Sequence, residues 1–371
     1  MLPSMAAQRR EDRASRPANH VLLHAPLEVD ARQKAVQAGL APRQVMLDLA
    51  EELQAVLHTP EGVRTTPLDR VLGLLIGGPA AWATARALAP QLSSHDCVFS
   101  DSEAVGFPLA AVLQVRRGRP RMTVFVHNVN RPRARLALLL LRLGRGVDVF
   151  LACSGPQASF LRRTSNARSA VELVSDSMDL DFFTPGPARA EKPRPLIASV
   201  GLEQRDYRLL AAATADLDVD VRISAASADT RPTKRALPSE LPANMTRRFY
   251  DWRELVQLYR DADVVVISLF ENDYAAGVQA LMEAQACRRP VVVSATTGLQ
   301  GYLDEGVVTV PPGDEAALRR AVTALLEDPV AAVELAERGH RVARTRYRDD
   351  EYVRAVAGAT LAPAASEPAR P

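Results

Sequence analysis

Apolar residues along the chain fall into two patterns: short β-branched runs bounded by polar residues, and longer stretches in which they recur every three or four positions. The first is the signature of a strand buried on both faces, the second of a helix with one apolar stripe. On that basis segments 20–24 (HVLLH), 96–100 (DCVFS), 122–127 (MTVFVH) and 147–153 predict strands. Segments 43–57, 80–88, 108–116, 133–143 and 155–163 predict helices, with a loop over 59–68. A second series begins at 196–200 (LIASV) and continues with strands 219–224, 246–249, 262–268, the VVVS run ending at Ser294, and 307–310. Its helices are expected after Gly201 and over 252–261, 278–287, 314–327 and 330–341, with a last helix near 350–357. Strand and helix in alternation make βαβ units, and these build parallel sheets covered on both faces.

Between the two series, 180–195 (LDFFTPGPARAEKPRP) concentrates proline, glycine and charge, as an interdomain linker does. The chain is therefore expected to be α/β, with two Rossmann-like doubly wound domains facing across a cleft. The first domain takes 19–185, the linker 186–195 and the second domain 196–345. Residues 346–361 form a C-terminal helix packing back on the first domain, and 1–18 and 362–371 are expected to be disordered.

Length supports this division, since 371 residues exceed one ordinary core. Hydrophobic residues make up 47% and charged residues 24%, and the net charge of +2 gives no case for nucleic acid as a partner. Cys97, Cys153 and Cys287 each lie in or beside an apolar run, which suits a reducing compartment better than a disulfide framework. The histidines show no metal-ligand spacing, and neither CxxC nor HExxH occurs, so no structural metal is expected. The N-terminal segment is polar and basic without an apolar centre, and the uncharged run 71–85 is broken by Gly77, Gly78 and Pro79. A cytoplasmic protein is expected.

In open parallel sheets ligands collect beyond the carboxyl ends of the strands. The polar residues predicted there are His24, Asp101, Glu103, His127 and Ser154. His127 could donate a hydrogen bond to a sugar hydroxyl or to developing charge, or only cap local backbone; turn chemistry alone would explain His24, Asp101 and Glu103. In 268–294 an apolar strand runs through Glu271, Asn272, Asp273 and Tyr274 to Gly277, where a helix begins with Val278. Gly277 permits close backbone approach, and the unpaired amides of the helix suit a diphosphate. Glu283, two turns beyond Ala276, projects along the same face toward sugar hydroxyls. Arginines at 116, 117, 119, 121, 131, 133 and 135 beside LALLLLRL would suit an anionic membrane surface. The expected alternative is that this helix buries its leucines against the sheet and leaves the arginines in water. These features fit a transferase, an epimerase, a phosphorylase or a two-domain binding protein.

Four segments resemble retaining glycosyltransferases of the GT-B fold, in the large family 4 group that uses nucleotide sugars. SDSMDLDFFTP (175–185) resembles that family's interdomain segment, and SVGLEQRDYRLLAAA (199–213) its first C-domain strand and phosphate-contacting loop. FYDWRELVQLYRDADVVVISLFE (249–271) resembles its base-binding loop, helix and strand, and GVQALMEAQACRRPVVVS (277–294) its donor-binding helix and following strand. The resemblance implies that Glu283 holds the donor ribose, that Gly277 and Val278 receive the diphosphate with Gly201 beside them, and that Arg205 neutralises it. It implies that Tyr250 and Asp251 lie by the base, that His127 lies near the transferred sugar, and that Glu271, Asn272, Asp273 and Tyr274 lie where an acid meets the hexose. His127, Arg205 and Glu271 are the implied catalytic residues, with His24, Asp101 and Glu103 on the acceptor side.

The chain departs from the family at three places, the first being HAPLEVDAR (24–32), which stands where a glycine-rich acceptor loop is usual after the first strand. Ala275 stands where a second glutamate is usual, eight before Glu283, and Leu202 follows Gly201 where an arginine is common. The implied function is transfer of a hexosyl group, with retained configuration and without metal or other cofactor, from a nucleotide diphosphate sugar to a saccharide, lipid-linked or small-molecule acceptor. The alternatives are a non-catalytic nucleotide-sugar-binding or partner subunit and a nucleotide-sugar epimerase. A weak peripheral contact of the first domain with the inner membrane surface is part of the same expectation.

Overall fold

A computed structural model describes residues 18–362 except 130, 166–167, 190–191 and 226–234. The termini expected to be disordered and much of the proline-rich loop before residue 242 lie outside the described residues. Two six-stranded sheets, parallel throughout, organise the chain. The first contains β1 (Asn19–Leu22), β2 (Val56–His58), β3 (Cys97–Ser100), β4 (Arg121–Val126), β5 (Val149–Ala152) and β6 (Ala170–Leu173), in the order β2-β1-β3-β4-β5-β6. The second contains β7 (Leu196–Val200), β8 (Asp220–Ser224), β9 (Met245–Arg247), β10 (Val264–Ile267), β11 (Val291–Ser294) and β12 (Val308–Val310), in the order β12-β11-β10-β7-β8-β9. This is the doubly wound pair expected.

Strand order fixes where ligands can sit. In the first sheet the chain leaves β1 on one side and returns on the other to β3; in the second it leaves β7 for β8 and β9 and returns to β10. At each reversal the connecting helices go to opposite faces, opening a crevice at the strands' carboxyl ends. The crevices therefore lie at His24 and Asp101 in one domain, and at Gly201 and Ser268 in the other.

Several elements differ from the sequence reading. The helix expected over 43–57 is only Val45–Glu52, followed by edge strand β2. Two helices, Val29–Gln37 and Pro67–Gly73, are not among the expected elements, the second starting at the end of the loop expected over 59–68. The helix expected from Pro108 begins at Glu103, with Pro108 inside it. Proline offers no N–H to the carbonyl of Ala104, and that carbonyl is packed instead by Gly77, where a Cβ would stand only 2.0 Å away. The helix Pro132–Leu140 buries Ala134, Ala137 and Leu138, while Leu136, Leu139 and Leu140 remain 47%, 69% and 63% exposed. Leu136, Leu139 and Leu140 thus face water, while Ala134, Ala137 and Leu138 form the side that joins the first domain's core.

The helix Asp349–Leu361 packs against the first sheet. Arg121 Nε and Nη2 donate to the carbonyls of Thr360 and Ala359 (3.1 and 3.2 Å), and Tyr352 meets Phe125 with ring centroids 6.2 Å apart. One apolar cluster runs from Val21 and Phe125 through Met178 to Val265 and Leu281, so both sheets share core.

Candidate functional site

At the second crevice, β7 ends in Gly201 with φ +112°, a backbone region that side chains disfavour. Arg205 folds back beneath it, donating from Nε to the Val200 carbonyl (2.7 Å) and from Nη1 to that of Glu203 (3.0 Å). A Cβ on Gly201 would lie 2.3 Å from Arg205 Nη2, and one on Gly277, whose φ is +94°, would lie 3.4 Å from Nη1. The buried guanidinium therefore threads between two glycines that lie 76 positions apart in sequence but meet at the switch point. Backbone bonds from Phe270 N to Gln204 O (2.9 Å) and Asp206 N to Ser268 O (2.9 Å) stitch the two loops together.

Gly277 precedes the helix Val278–Ala286, and no side chain caps it. Val278 N donates to the Ala275 carbonyl (3.3 Å), and the Gln279 and Ala280 amides with the positive end of the dipole remain at this end of the helix, an arrangement that attracts a phosphate. Two turns on, Glu283 is buried at 7% exposure and accepts a 2.6 Å hydrogen bond at Oε2 from the hydroxyl of Tyr259. Burial pushes the Glu283 carboxyl up to about 7, against the lowering effects of the Tyr259 bond and the Arg205 charge. Burial beside that carboxylate holds the Tyr259 hydroxyl well above its ordinary value, so it stays a donor.

Other candidates in these loops are held by local bonds, with one carboxylate oxygen each of Glu271 and Asp251 accepting from a backbone amide. Glu271 Oε1 accepts from Thr297 N (2.9 Å). Asp251 caps the helix Trp252–Asp261, accepting from Glu254 N (2.8 Å), while Glu254 returns a bond to Asp251 N. Tyr250 is buried, with the Arg248 guanidinium 3.7 Å from its ring centroid. Asn272 donates from Nδ2 to Phe270 O (2.9 Å), and its buried Oδ1 has no partner. Asp273 lends its carbonyl to Gln157 Nε2 of the first domain (3.1 Å). Tyr274 donates to Glu203 Oε1 (2.7 Å), the oxygen that Arg131 reaches from the first domain (3.2 Å).

The first-domain candidates converge on their own switch point. His24 Nδ1 lies 2.8 Å from Asp101 Oδ2, which raises its pKa, the hydrogen bond outweighing burial. Glu103 grips the next strand's end, its two oxygens accepting from His127 N (2.9 Å) and Asn128 N (3.1 Å). A carbonyl can only accept, so the 3.0 Å contact with Asp101 O fixes the proton on His127 Nε2 and leaves Nδ1 as the free nitrogen. A neutral His127 therefore offers an acceptor, not the donor expected. Its exposed ring rests on Phe125, with centroids 4.8 Å apart. Asp176, in the interdomain segment, accepts from Gln279 Nε2 (3.0 Å); burial raises its pKa and His127 works against that.

Sequence reasoning missed Tyr259, Gln157, Asp176 and the Arg131–Glu203–Tyr274 cluster. Only Asp251 carried a readable warning, the acid-x-x-Glu spacing of a capping box. A cavity of about 820 Å³ lies behind the interdomain segment, between Arg43, Asp48, Asp181 and Asp349, and none of its lining comes from the loops above. Among the described residues no cluster of three His, Cys, Asp or Glu could hold a metal, and no helix is long and apolar enough to cross a membrane.

Residues 197–328 match the family model described as Glycosyl transferases group 1. D-inositol 3-phosphate glycosyltransferases of Mycobacterium sp. strains KMS and JLS are 33% identical over 159 residues, covering 38% of this chain. The match spans only 35% of those curated relatives' length. Sucrose-phosphate synthase from Thermosynechococcus elongatus aligns at a TM-score of 0.69 and 19% identity, over 91% of this chain and 97% of that one. The α,α-trehalose 6-phosphate synthase of Burkholderia multivorans gives 0.69 and 14%, over 93% and 98%, and Anabaena HepE in complex with UDP-glucose gives 0.65 and 14%, over 91% and 98%. These likenesses show the GT-B arrangement of two Rossmann-like domains.

Proposed function

We propose that the chain is a glycosyltransferase that moves a hexosyl group from a nucleotide diphosphate sugar to an acceptor hydroxyl with retained configuration, as in family 4. The observation that carries this is the meeting of Gly201, Arg205, Gly277 and the uncapped helix Val278–Ala286, with the Glu283 carboxylate two turns along. The diphosphate would lie on the helix amides beside Arg205, the ribose on Glu283 and the base near Tyr250. As the sugar's C1–O bond to the diphosphate breaks, the acceptor oxygen bonds C1 on the same face and its proton leaves with the diphosphate. Arg205 and the helix dipole stabilise that departing charge without a metal or other cofactor. His24, Asp101 and His127 line the acceptor side, where closure of the domains excludes water. A cytoplasmic setting and a peripheral membrane contact of the first domain belong to the same reading.

The commitment of Glu271 to Thr297 favours a second reading, a non-catalytic nucleotide-sugar-binding subunit. A thermal-shift screen of nucleotide sugars, beginning with UDP-glucose, tests donor binding, since a ligand of the native state raises Tm. Turnover with the donor that binds, over a panel of acceptors, separates the readings. Stabilisation without transfer or hydrolysis favours the subunit, isomerisation without acceptor an epimerase, and no stabilisation by any donor refutes the site.

A further inference from the structure

We propose that the outer face of the helix Pro132–Leu140, with the turn that follows the helix Glu103–Leu113, is a docking surface for an anionic lipid bilayer. Leu136, Leu139 and Leu140 lie three and four positions apart, so they share one helical face, and that face is turned to water. Gln114 Nε2 donates to the Leu141 carbonyl (2.7 Å), which fixes the turn carrying Val115, itself 83% exposed, beside the end of this helix. Arg117, Arg133, Arg142 and Arg145 flank these residues along the chain; all four are exposed, and among the described residues none makes an ion pair.

Charge selects the occupant. From Ala104 to Val147 the sequence contains arginines throughout and not one Asp or Glu. A second copy of the chain would bring one basic rim against another, so self-association is opposed at this face. A nucleic acid would use the arginines but leave the leucines in water. A bilayer with anionic headgroups uses both, with the leucines entering the acyl boundary and the arginines reaching the phosphates. The helix, of 9 residues, is too short to span and suits a position in the interface. It begins one residue after Arg131, whose guanidinium reaches Glu203 across the cleft, so docking sets the mouth of the cleft near the lipid surface. This surface gives residues to the peripheral contact proposed with the transferase reading, and vesicle binding tests it separately from donor binding and transfer.

The test is co-sedimentation of the full chain with vesicles of equimolar phosphatidylcholine and phosphatidylglycerol, compared with phosphatidylcholine alone, at about 0.1 M salt, where the Debye length is about 10 Å. Binding to the anionic vesicles only is expected. Each arginine near such a surface is worth roughly fivefold in partitioning, so Arg133→Gln with Arg145→Gln should weaken binding on the order of 30-fold. Leu139→Ser with Leu140→Ser should weaken it as well. Both double variants should keep the wild-type melting curve and any donor-induced thermal shift, which separates a docking defect from misfolding or a failed donor site. Absence of binding to anionic vesicles overturns the proposal. So does binding that neither double variant changes, or a salt-sensitive complex with RNA, or a dimer, that the leucine variants abolish while vesicle binding persists.

Discussion

Tyr259 and Glu283 make the site sensitive to pH in a direction that can be worked out. The Glu283 carboxyl is raised from 4.5 to about 7, so the folded protein holds this proton more tightly than the unfolded chain does. Its contribution to stability is fully present below about pH 4.5 and is lost as pH rises through about 7, a difference of about 3 kcal/mol at 1.36 kcal/mol per unit. Donor binding runs the other way, because ribose hydroxyls donate and the ionised carboxylate is the acceptor. A proton on Glu283 then competes with the donor, and Kd for a nucleotide sugar should rise about tenfold from about pH 8 to about pH 6. A diphosphate diester has no proton of its own to exchange in that range. Tyr259→Phe removes a hydrogen bond that favours the charged form, worth roughly one pKa unit or more. The midpoint of the pH dependence should move upward and Kd at neutral pH should rise about fivefold. Glu283→Gln should bind weakly and without pH dependence. Calorimetry with the donor found by thermal shift reads all three proteins. A wild-type Kd that is flat with pH, or a Tyr259→Phe midpoint that moves down, would refute the reasoning.

Substitutions at three further positions probe the site. Gly201→Ala meets both a positive φ and the Arg205 guanidinium, so a stability loss of about 1–3 kcal/mol and weaker donor binding are expected, and unchanged denaturation and calorimetry would show that Arg205 can move aside. His127→Ala should lower turnover while leaving donor Kd within about twofold, since its backbone bonds to Glu103 remain; equal turnover returns the ring to a local role. Glu271→Gln keeps an acceptor for Thr297 N and should leave donor affinity within about threefold, while Glu271→Ala should cost about 1 kcal/mol in denaturant. Loss of donor binding in Glu271→Gln would mean that the carboxylate faces the sugar.

The interior strands were legible because they are buried on both faces, as in VVVI of β10 and VVVS of β11. Edge strands β2 and β6 were not, since a half-exposed edge carries no apolar run, and the helix Val29–Gln37 buries none of its residues and so has no stripe to read. Gly201 and Gly277 could be singled out because each stands where backbone must turn or approach a ligand, and the structure gives both positive φ. Tyr259 could not, because a tyrosine within the apolar stripe LVQLY looks like any core aromatic until its hydroxyl is seen against Glu283. The leucines of Pro132–Leu140 were read backwards for a related reason. Periodicity shows that a stripe exists, but the alanines opposite decide which side packs.

Loop carboxylates raise the same ambiguity at the heart of the candidate site. A carboxylate can face a ligand or hold a backbone N–H, and Glu103, Asp251 and Glu271 all do the second. Once those bonds are counted, the groups left uncommitted among the described residues include the Gln279 and Ala280 amides, Glu283 Oε1, Glu271 Oε2, His127 Nδ1, and the buried partnerless oxygens Asp101 Oδ1 and Asn272 Oδ1. A buried acceptor without a donor costs about 1–3 kcal/mol, a cost that a donating hydroxyl would remove. Asn272 is next to Glu271 in sequence, and its neighbour Asp273 is tied by its carbonyl to Gln157 of the first domain, so the loop is held at the cleft by both domains. In the transferase reading Asn272 thus brings a neutral acceptor next to Glu271, in the loop where the family uses an acid, and a hexose hydroxyl that reached its Oδ1 would satisfy it.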